Sequence, residues 1–541
     1  MLVWAFAVVG LALRLAAFLR ADPLFVDEAM LAHSIATRSW ADLTPPFSYQ
    51  QVAPPGLLWI AKASTALFGM SPHALRLGPF LASAVTIGTF ALTARRWLGK
   101  FPAAVAMALV ALSPVFLRYS DEFKQYGFDV MGASLLLWLT TRMLDDPTVR
   151  NRAAWVAGGA VVALTSTAAP LVLGGAFAGA WLSGLTAVRW RALPAAAGAW
   201  GLAIGLAFVG YYNPAETPYL RRFWSGNFLD PLQPGFLDRV FDAATVAEAI
   251  ALRPPIPFPS LLAVALVVLI GLPFWLARPR RPMAGALYLP IVLGGIASML
   301  HRYPIAQRTG LFALPAIAVL AGGAVALVTD PARRPWLRAA GIAAGLAAVL
   351  GSTMALVRWF RVLPSGTGLG EVATRLRAEP SRPVYLESRG VPEFLFYTTD
   401  WRNPDQDRLI RFARIADSIG PNSGNNPPRP HPVTTEGDHL RFDDGGRTLL
   451  LGIPTGMEVI GTGVVRPSVP DTGWAENEAR RIETLGDALV VLVRSRRAAN
   501  LALAAALRSR GASVDTAYAD PAAQLLTLHW PHAAPVDESH H

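Results

Sequence analysis

Two adjacent carboxylates, Asp27 and Glu28, stand just beyond the first long apolar run, and a second ionisable stretch, Tyr119-Ser-Asp-Glu-Phe-Lys-Gln-Tyr126, separates two later ones. A carboxylate such as Asp27 can act as a general base, taking the proton of an acceptor hydroxyl as the new bond forms. Lys124, Arg302 and Arg308 are the residue types that hold phosphate, arginine through a bidentate fork and lysine as a point charge. Asp121, Glu122 and Lys124 stand close enough in sequence to serve a site for both signs of charge, and at helical spacing Glu122 and Tyr126 share a face. Plainer readings stand beside these. Asp27 suits the cap of a short surface helix beginning near Ala29, a short connecting loop is polar in any case, and an arginine at a helix end can snorkel to headgroups. His33, isolated in sequence, reads as structural.

The elements that must position these groups are membrane-spanning. In 541 residues, 53% are hydrophobic and 16% charged, the composition of a polytopic membrane protein. The net charge of +11 does not indicate nucleic acid, because the arginines are dispersed between apolar runs instead of forming one basic face. Cysteine is absent, which excludes disulfides, thiolate catalysis and Cys-ligated metal sites. The first run, Leu2 to Leu19, has no basic residue before it and no small-residue cleavage site, so it reads as a retained helix.

Runs able to cross about 30 Å of hydrocarbon number about eleven: 2–19, 74–94, 101–117, 128–143, 153–168, 170–188, 193–211, 259–277, 282–300, 309–328 and 337–357. The split within 165–170 is the weakest boundary. Basic clusters fall at every second connection: Arg95, Arg96 and Lys100; Arg142, Arg150 and Arg152; Arg189 and Arg191; Arg278, Arg280 and Arg281; Arg333, Arg334 and Arg338. The positive-inside tendency then puts the N-terminus in the cytoplasm and leaves loops 20–73, 119–127, 212–258 and 301–308 on the extracytoplasmic side. The unusual polar residues gather on that face, and Arg302 and Arg308 are exceptions to the tendency. Within loop 20–73, residues 29–38 and 55–67 read as amphipathic helices along the interface, with Trp40 and Trp59 as anchors. Arg14, inside the first run, either snorkels or packs inward toward a polar partner.

Beyond residue 360 the pattern changes to that of a soluble domain, 361–541. Strands are expected at 383–387, 448–453, 488–493 and 524–529, helices at 405–419 and 497–510, and a loop at 420–437, which together make an α/β domain. The chain therefore reads as an α-helical polytopic membrane domain, 1–360, followed by a soluble α/β domain, 361–541, on the extracytoplasmic side.

The order of these features resembles the GT-C fold of integral-membrane glycosyltransferases, specifically the protein O-mannosyltransferase and aminoarabinose transferase relatives grouped as family 39-like. Asp27-Glu28 with Pro54-Pro55-Gly-Leu-Leu-Trp59 is similar to that group's Asp-Glu and Pro-Pro-Leu elements. Tyr119-Ser120, Glu122, Lys124 and Tyr126 resemble its Tyr-Ser-x-Glu-x-Arg-x-Tyr stretch, with lysine in place of arginine; Arg308, Phe312, Leu314 and Pro315 resemble its Arg-Tyr-x-x-Pro helix start, with phenylalanine where tyrosine is common. The resemblance spans residues 2–357. Ala53 stands where relatives often carry a lysine before the proline pair, so a phosphate contact from that lysine does not carry over.

The resemblance implies a multi-pass protein of the cell (inner) membrane that uses a polyprenyl-phosphate sugar donor and needs no nucleotide. Asp27, with Glu28 beside it, would deprotonate a glycan, lipid or protein hydroxyl that attacks the anomeric carbon with inversion; Lys124, Arg302 and Arg308 would receive the departing phosphate. Asp121, Glu122 and Tyr126 would position sugar or acceptor, as would Arg221, Arg222 and Trp224, which with Tyr219 and Phe223 form a basic and aromatic cluster that is otherwise a membrane anchor. Either no cofactor is needed, or Asp27, Asp121 and Glu122 hold Mg²⁺, Mn²⁺ or Ca²⁺. Two other classes compete. A lipid-linked sugar flippase or transporter would place ionisable groups at mid-bilayer on broken helices with inverted repeats, and a non-enzymatic glycan-binding protein would use the soluble domain alone.

Overall fold

The computed structural model describes residues 1–20, 22–240, 269–305, 308–362, 368–387, 390–419, 440–452, 457–460, 464–467, 473–493, 497–519 and 523–531. The expected loop 420–437, residues 241–258 of the long loop and the first part of the 259–277 run lie outside the described residues. Two compact units emerge: Met1–Ala21 with Trp40–Pro46 and Val52–Leu363, and Asp22–Ser39 with Phe47–Gln51 and Pro364–His541.

In chain order the helices are α1 (Leu2–Arg20), α2 (Val26–Thr37), α3 (Pro55–Phe68), α4 (Pro72–Leu98), α5 (Lys100–Ala111), α6 (Pro114–Arg118), α7 (Tyr126–Asp145), α8 (Val149–Thr165), α9 (Ala169–Leu182) and α10 (Leu193–Ala207). Short helices α11 (Asn213–Ala215) and α12 (Pro218–Ser225) follow, then α13 (Arg281–Met299), α14 (Leu314–Val328) and α15 (Pro335–Val362). The C-terminal part adds α16 (Leu369–Ala378), α17 (Val391–Thr398), α18 (Gln406–Ile419), α19 (Trp474–Glu483) and α20 (Arg497–Ser509).

Apart from the short α11 and the polar α12, the helices of the first unit are mainly apolar, and six segments among the described residues are long and apolar enough to cross a membrane, with the shorter 100–111 and 169–182 beside them. Helices cover the sequence-predicted runs closely. The exceptions are α9, expected to continue to Val188 but ended at Leu182 before Gly184 at φ +67°, and α5, expected to continue to Leu117 but ended at Ala111. Ser113 precedes Pro114 and takes an extended backbone, and its hydroxyl accepts the Phe116 N–H to start a new helix, as the steric clash with a following proline ring requires. The break inside 165–170 is present: α8 stops at Thr165, Ser166 is extended, and α9 restarts with a proline in its first turn.

Buried polar ties fix the bundle. Arg14 packs inward and donates to Gly10 O (2.9 Å), Val110 O (3.2 Å) and Ala111 O (3.3 Å), so a cation caps the negative end of α5. The indoles of Trp97 and Trp155 donate to Thr141 and Thr140 of α7, at 2.9 and 3.0 Å. Trp200 donates to Val156 O at 2.8 Å, and its ring lies where any side chain at Gly159 would stand. At the other end of α4 and α7, Arg96 forms a bidentate pair with Asp145 (2.8 and 2.7 Å); being half exposed, it contributes at most about 1 kcal/mol.

The C-terminal unit is built on a six-stranded sheet in the order β2-β3-β1-β6-β8-β7, where β1 is Val384–Glu387, β2 Arg441–Asp443, β3 Thr448–Gly452, β6 Leu489–Val493, β7 Ser513–Ala519 and β8 Ala523–His529; β4 (Met457–Ile460) and β5 (Val464–Pro467) form a separate hairpin. β1 runs parallel to β3 and β6, and the outer strands are antiparallel. Apolar side chains alternate between the faces. Leu386, Leu449, Leu451 and Val491 meet α16, α17 and α18 on one side, while Tyr385, Leu450, Val490 and Leu492 meet α19 and α20 on the other.

Helix α2 corrects the expectation of an interface helix at 29–38. It starts at Val26, and its Glu28, Ala29, Leu31, Ala32, His33, Ser34 and Ile35 are buried. Protein covers its apolar face, with Met30 and Tyr49 joining the apolar cluster of Leu369, Phe394 and Phe412. Helix α3 does present Trp59, Leu67 and Phe68 outward.

Candidate active site

In the membrane unit the polar candidates gather where α7 begins. The 119–125 segment is held by short local bonds, Ser120 Oγ to Leu117 O at 2.6 Å and Lys124 N to Glu122 O at 2.7 Å, and Glu122 and Lys124 are buried. Each acidic side chain faces an arginine: Arg76 Nη1 lies 3.8 Å from Asp121 Oδ2, and Arg118 Nε lies 3.4 Å from Glu122 Oε2. Arg118 also covers the Tyr119 ring, which meets Tyr126 edge-on with centroids 5.2 Å apart.

Arg308 joins three stretches of sequence. Its guanidinium carbon is 5.6 Å from the centroid of Tyr126, the first residue of α7, and 5.8 Å from that of Trp224 on α12. Each such cation–ring contact contributes about 0.5–1 kcal/mol when exposed and about 2 when desolvated. The neighbourhood is arranged by the residues after α12. Ile305 N donates to Asn227 O (3.1 Å) and Leu229 N to Ser298 Oγ (3.0 Å). His301, at φ +55°, stacks on Phe228 and bonds Asp230 Oδ2 at 3.1 Å. The Leu232 N–H, and then His301, hold the Asp230 carboxyl below its usual range. Tyr303 donates to Thr309 O at 3.0 Å and Thr309 Oγ1 to Pro304 O at 2.7 Å, closing the turn on which Arg308 stands. Burial pushes the Tyr303 hydroxyl well above the phenol range, so it remains a donor.

Arg302 is exposed. Arg221 forms a surface pair with Glu216 at 2.8 Å, and the Arg222 side chain lies outside the described residues.

Three groups escaped the sequence reading: Arg118, which faces Glu122, Arg76 and Asp129. Arg76 is 3% exposed; its signal was an arginine at the end of an apolar run opposite to Arg95 and Arg96. Asp129, one turn into α7, accepts from Ser166 Oγ (2.6 Å), Thr167 Oγ1 (3.0 Å) and Ala168 N (3.2 Å), tying the α8–α9 turn to the helix that carries Tyr126. Its signal was a carboxylate inside an apolar run, rare without a partner or function. Asp129→Ala strands those donors at about 1–3 kcal/mol each, so a thermal-shift measurement on the solubilised protein should show a lower unfolding midpoint.

In the C-terminal unit, Asp27 sits in the first turn of α2, where a carboxylate suits the positive helix end. The cap belongs to its neighbour: Glu28, 1% exposed, accepts the Phe25 N–H at 2.7 Å. His33 is not isolated; its Nε2 lies 2.9 Å from Leu409 O. Burial lowers its pKa from 6.5, the Leu409 carbonyl opposes that shift, and the Arg38 charge adds to it. The folded state thus holds His33 neutral while the unfolded chain takes up a proton as pH falls below the ordinary value. The stabilisation is complete above about 6.5 and is lost as pH falls through the lower folded value. Thermal unfolding of the full chain should show a lower midpoint at about pH 5.5 than at about pH 7.5, and His33→Gln should shrink that difference.

Among the described residues no three His, Cys, Asp or Glu side chains group as a metal site requires.

Residues 52–209 match the family described as dolichyl-phosphate-mannose-protein mannosyltransferase. The fold matches ArnT from Cupriavidus metallidurans bound to undecaprenyl phosphate, at 16% identity and a TM-score of 0.50, covering 97% of this chain and 97% of that one. The Archaeoglobus fulgidus oligosaccharyltransferase in complex with Zn and sulfate matches at 16% identity and a TM-score of 0.48, over 74% of this chain and 61% of that one. Among curated proteins, none matches this chain. With its apolar helices and this likeness over nearly its whole length, the chain is a multi-pass membrane protein with the GT-C fold of integral-membrane glycosyltransferases.

Proposed function

We propose that the chain moves a sugar from a polyprenyl-phosphate donor to an acceptor hydroxyl at the extracytoplasmic face, with inversion at the anomeric carbon. The observation that carries this reading is the setting of Arg308, framed by the Tyr126 and Trp224 rings at the start of α7. A guanidinium so framed keeps its fork oriented toward an anion. The likeness to a structure bound to undecaprenyl phosphate supports a polyprenyl phosphate as that anion.

In the proposed reaction Asp27 takes the hydroxyl proton as the acceptor oxygen attacks the anomeric carbon. The bond from that carbon to the phosphate oxygen breaks, and the electron pair leaves with the phosphate. Because a lipid phosphate departs as a stable anion, the leaving side needs positive charge rather than an acid, which Arg308 and Lys124 supply with Arg302 as the outer cation. Glu122 and Asp121, set by Arg118 and Arg76, position sugar hydroxyls. No step is assigned to a divalent cation, since the acidic candidates of the membrane unit face arginines.

Membranes carrying the protein and a labelled lipid-linked sugar should release free polyprenyl phosphate and transfer the label, with the anomeric configuration reversed. Turnover should persist in EDTA. Relocation of the intact lipid across the bilayer without cleavage would identify a flippase instead.

A further inference from the structure

Helix α2 follows α1 in sequence but belongs to the core of the C-terminal unit. Its Ala29, Leu31, Ala32 and Ile35 are buried, and polar bonds fix it at two heights. Leu24 N–H donates to the Tyr397 hydroxyl of α17 at 2.7 Å, just before the helix. Further along, His33 Nε2 meets the Leu409 carbonyl of α18 at 2.9 Å; a carbonyl only accepts, so that nitrogen carries the hydrogen. The imidazole also meets the Tyr49 ring nearly at right angles, centroids 5.7 Å apart, and Gln51 Nε2 reaches Met30 Sδ at 3.3 Å. Residues 47–51 thus return to clamp the same helix.

We infer that the C-terminal unit is a positioning domain for Asp27, and that His33 is the positioning residue through which α18 sets the azimuth and height of the helix carrying that carboxylate. The inference rests on Asp27 being the base. His33 lies about 9 Å along the helix axis from Asp27, so a small tilt at the histidine becomes a displacement of the carboxylate. A misplacement of about 1 Å costs about 10²-fold in rate. The proposed phosphate-binding residues, Arg308, Lys124 and Arg302, are not among these residues, so the effect belongs to kcat and not to donor KM.

The absence of cysteine permits a test independent of activity. Ser34, fully buried on α2, is replaced by cysteine in the full-length membrane protein, with Ser39→Cys as an exposed reference. The cysteine at 34 should resist maleimide where that at 39 labels rapidly. Adding His33→Ala and Tyr397→Phe should expose it, and the same two changes without the cysteine should lower kcat about 10- to 10²-fold at unchanged donor KM. His33→Gln, which keeps an N–H donor, should restore most of the rate. Equal labelling at 34 and 39 in the otherwise native chain overturns the docking of α2. Exposure of position 34 with kcat intact overturns the positioning role. Protection at 34 together with full turnover by Asp27→Asn overturns the catalytic part of the inference and the base assignment, while the docking stands.

Discussion

Asp27→Asn lowers sugar transfer by about 10²- to 10⁴-fold, the range that loss of a positioned general base produces, and leaves the protein folded and membrane-inserted. The substitution keeps the size and polarity of the side chain at the start of α2 but removes its capacity to accept a proton. Folding is spared because α2 is held by Ala29, Leu31, Ala32, His33 and Ile35 and capped by Glu28. The effect should appear in kcat with donor KM unchanged, because the phosphate is assigned to Arg308 and Lys124. Glu28→Gln separates the neighbouring carboxylates: the amide oxygen still accepts the Phe25 N–H, so turnover stays near that of the native chain. A binding assay with labelled donor and a single-turnover assay distinguish the cases. Undiminished turnover by Asp27→Asn removes Asp27 as the base, and a loss at Glu28→Gln with none at Asp27→Asn transfers the role to its neighbour.

The helices of the membrane unit were legible because an apolar run long enough to cross hydrocarbon has few alternatives to an α-helix. The Ser113-Pro114 pair misled only over the end of α5. In the C-terminal unit the inner strands read out as continuous apolar stretches, such as Thr448–Gly452 and Leu489–Val493, since both of their faces are covered. The three-residue β2 and the mostly exposed β7 gave no such signal. The expected surface helix near Asp27 hid its partner because Leu24 and Tyr397 are 373 residues apart, and an apolar helix face reads the same whether lipid or protein covers it. At the candidate site, Arg308 stood out by contradicting the charge rule for loops. Its ring partners did not, because Tyr126, Trp224 and Arg308 become neighbours only once the α12 segment is tied to the 298–305 turn.

Arg308→Ala weakens donor use by about 10²- to 10³-fold, the cost of removing one strong stabiliser of a developing oxyanion, whereas Arg308→Lys retains a substantial part of it. Alanine removes both the charge and the planar fork, and it leaves the Tyr126 and Trp224 rings without the cation they frame. Lysine keeps the charge and the attraction to a phosphate but presents a flexible ammonium in place of the bidentate plane. The bundle itself should tolerate either change, because the turn carrying residue 308 is closed by the Tyr303 and Thr309 bonds and by the Asn227 and Ser298 ties, none of which uses the guanidinium. Binding of a polyprenyl phosphate without its sugar provides the decisive measurement. If Arg308 receives the leaving group, affinity for this sugar-free lipid falls in the order native, lysine, alanine, and transfer rates fall with it. If Arg308 orients the sugar, sugar-free lipid binds all three equally while transfer still declines. Equal and negligible effects on both would leave the phosphate to Lys124 and the arginines around it, and would strip Arg308 of the role proposed for it.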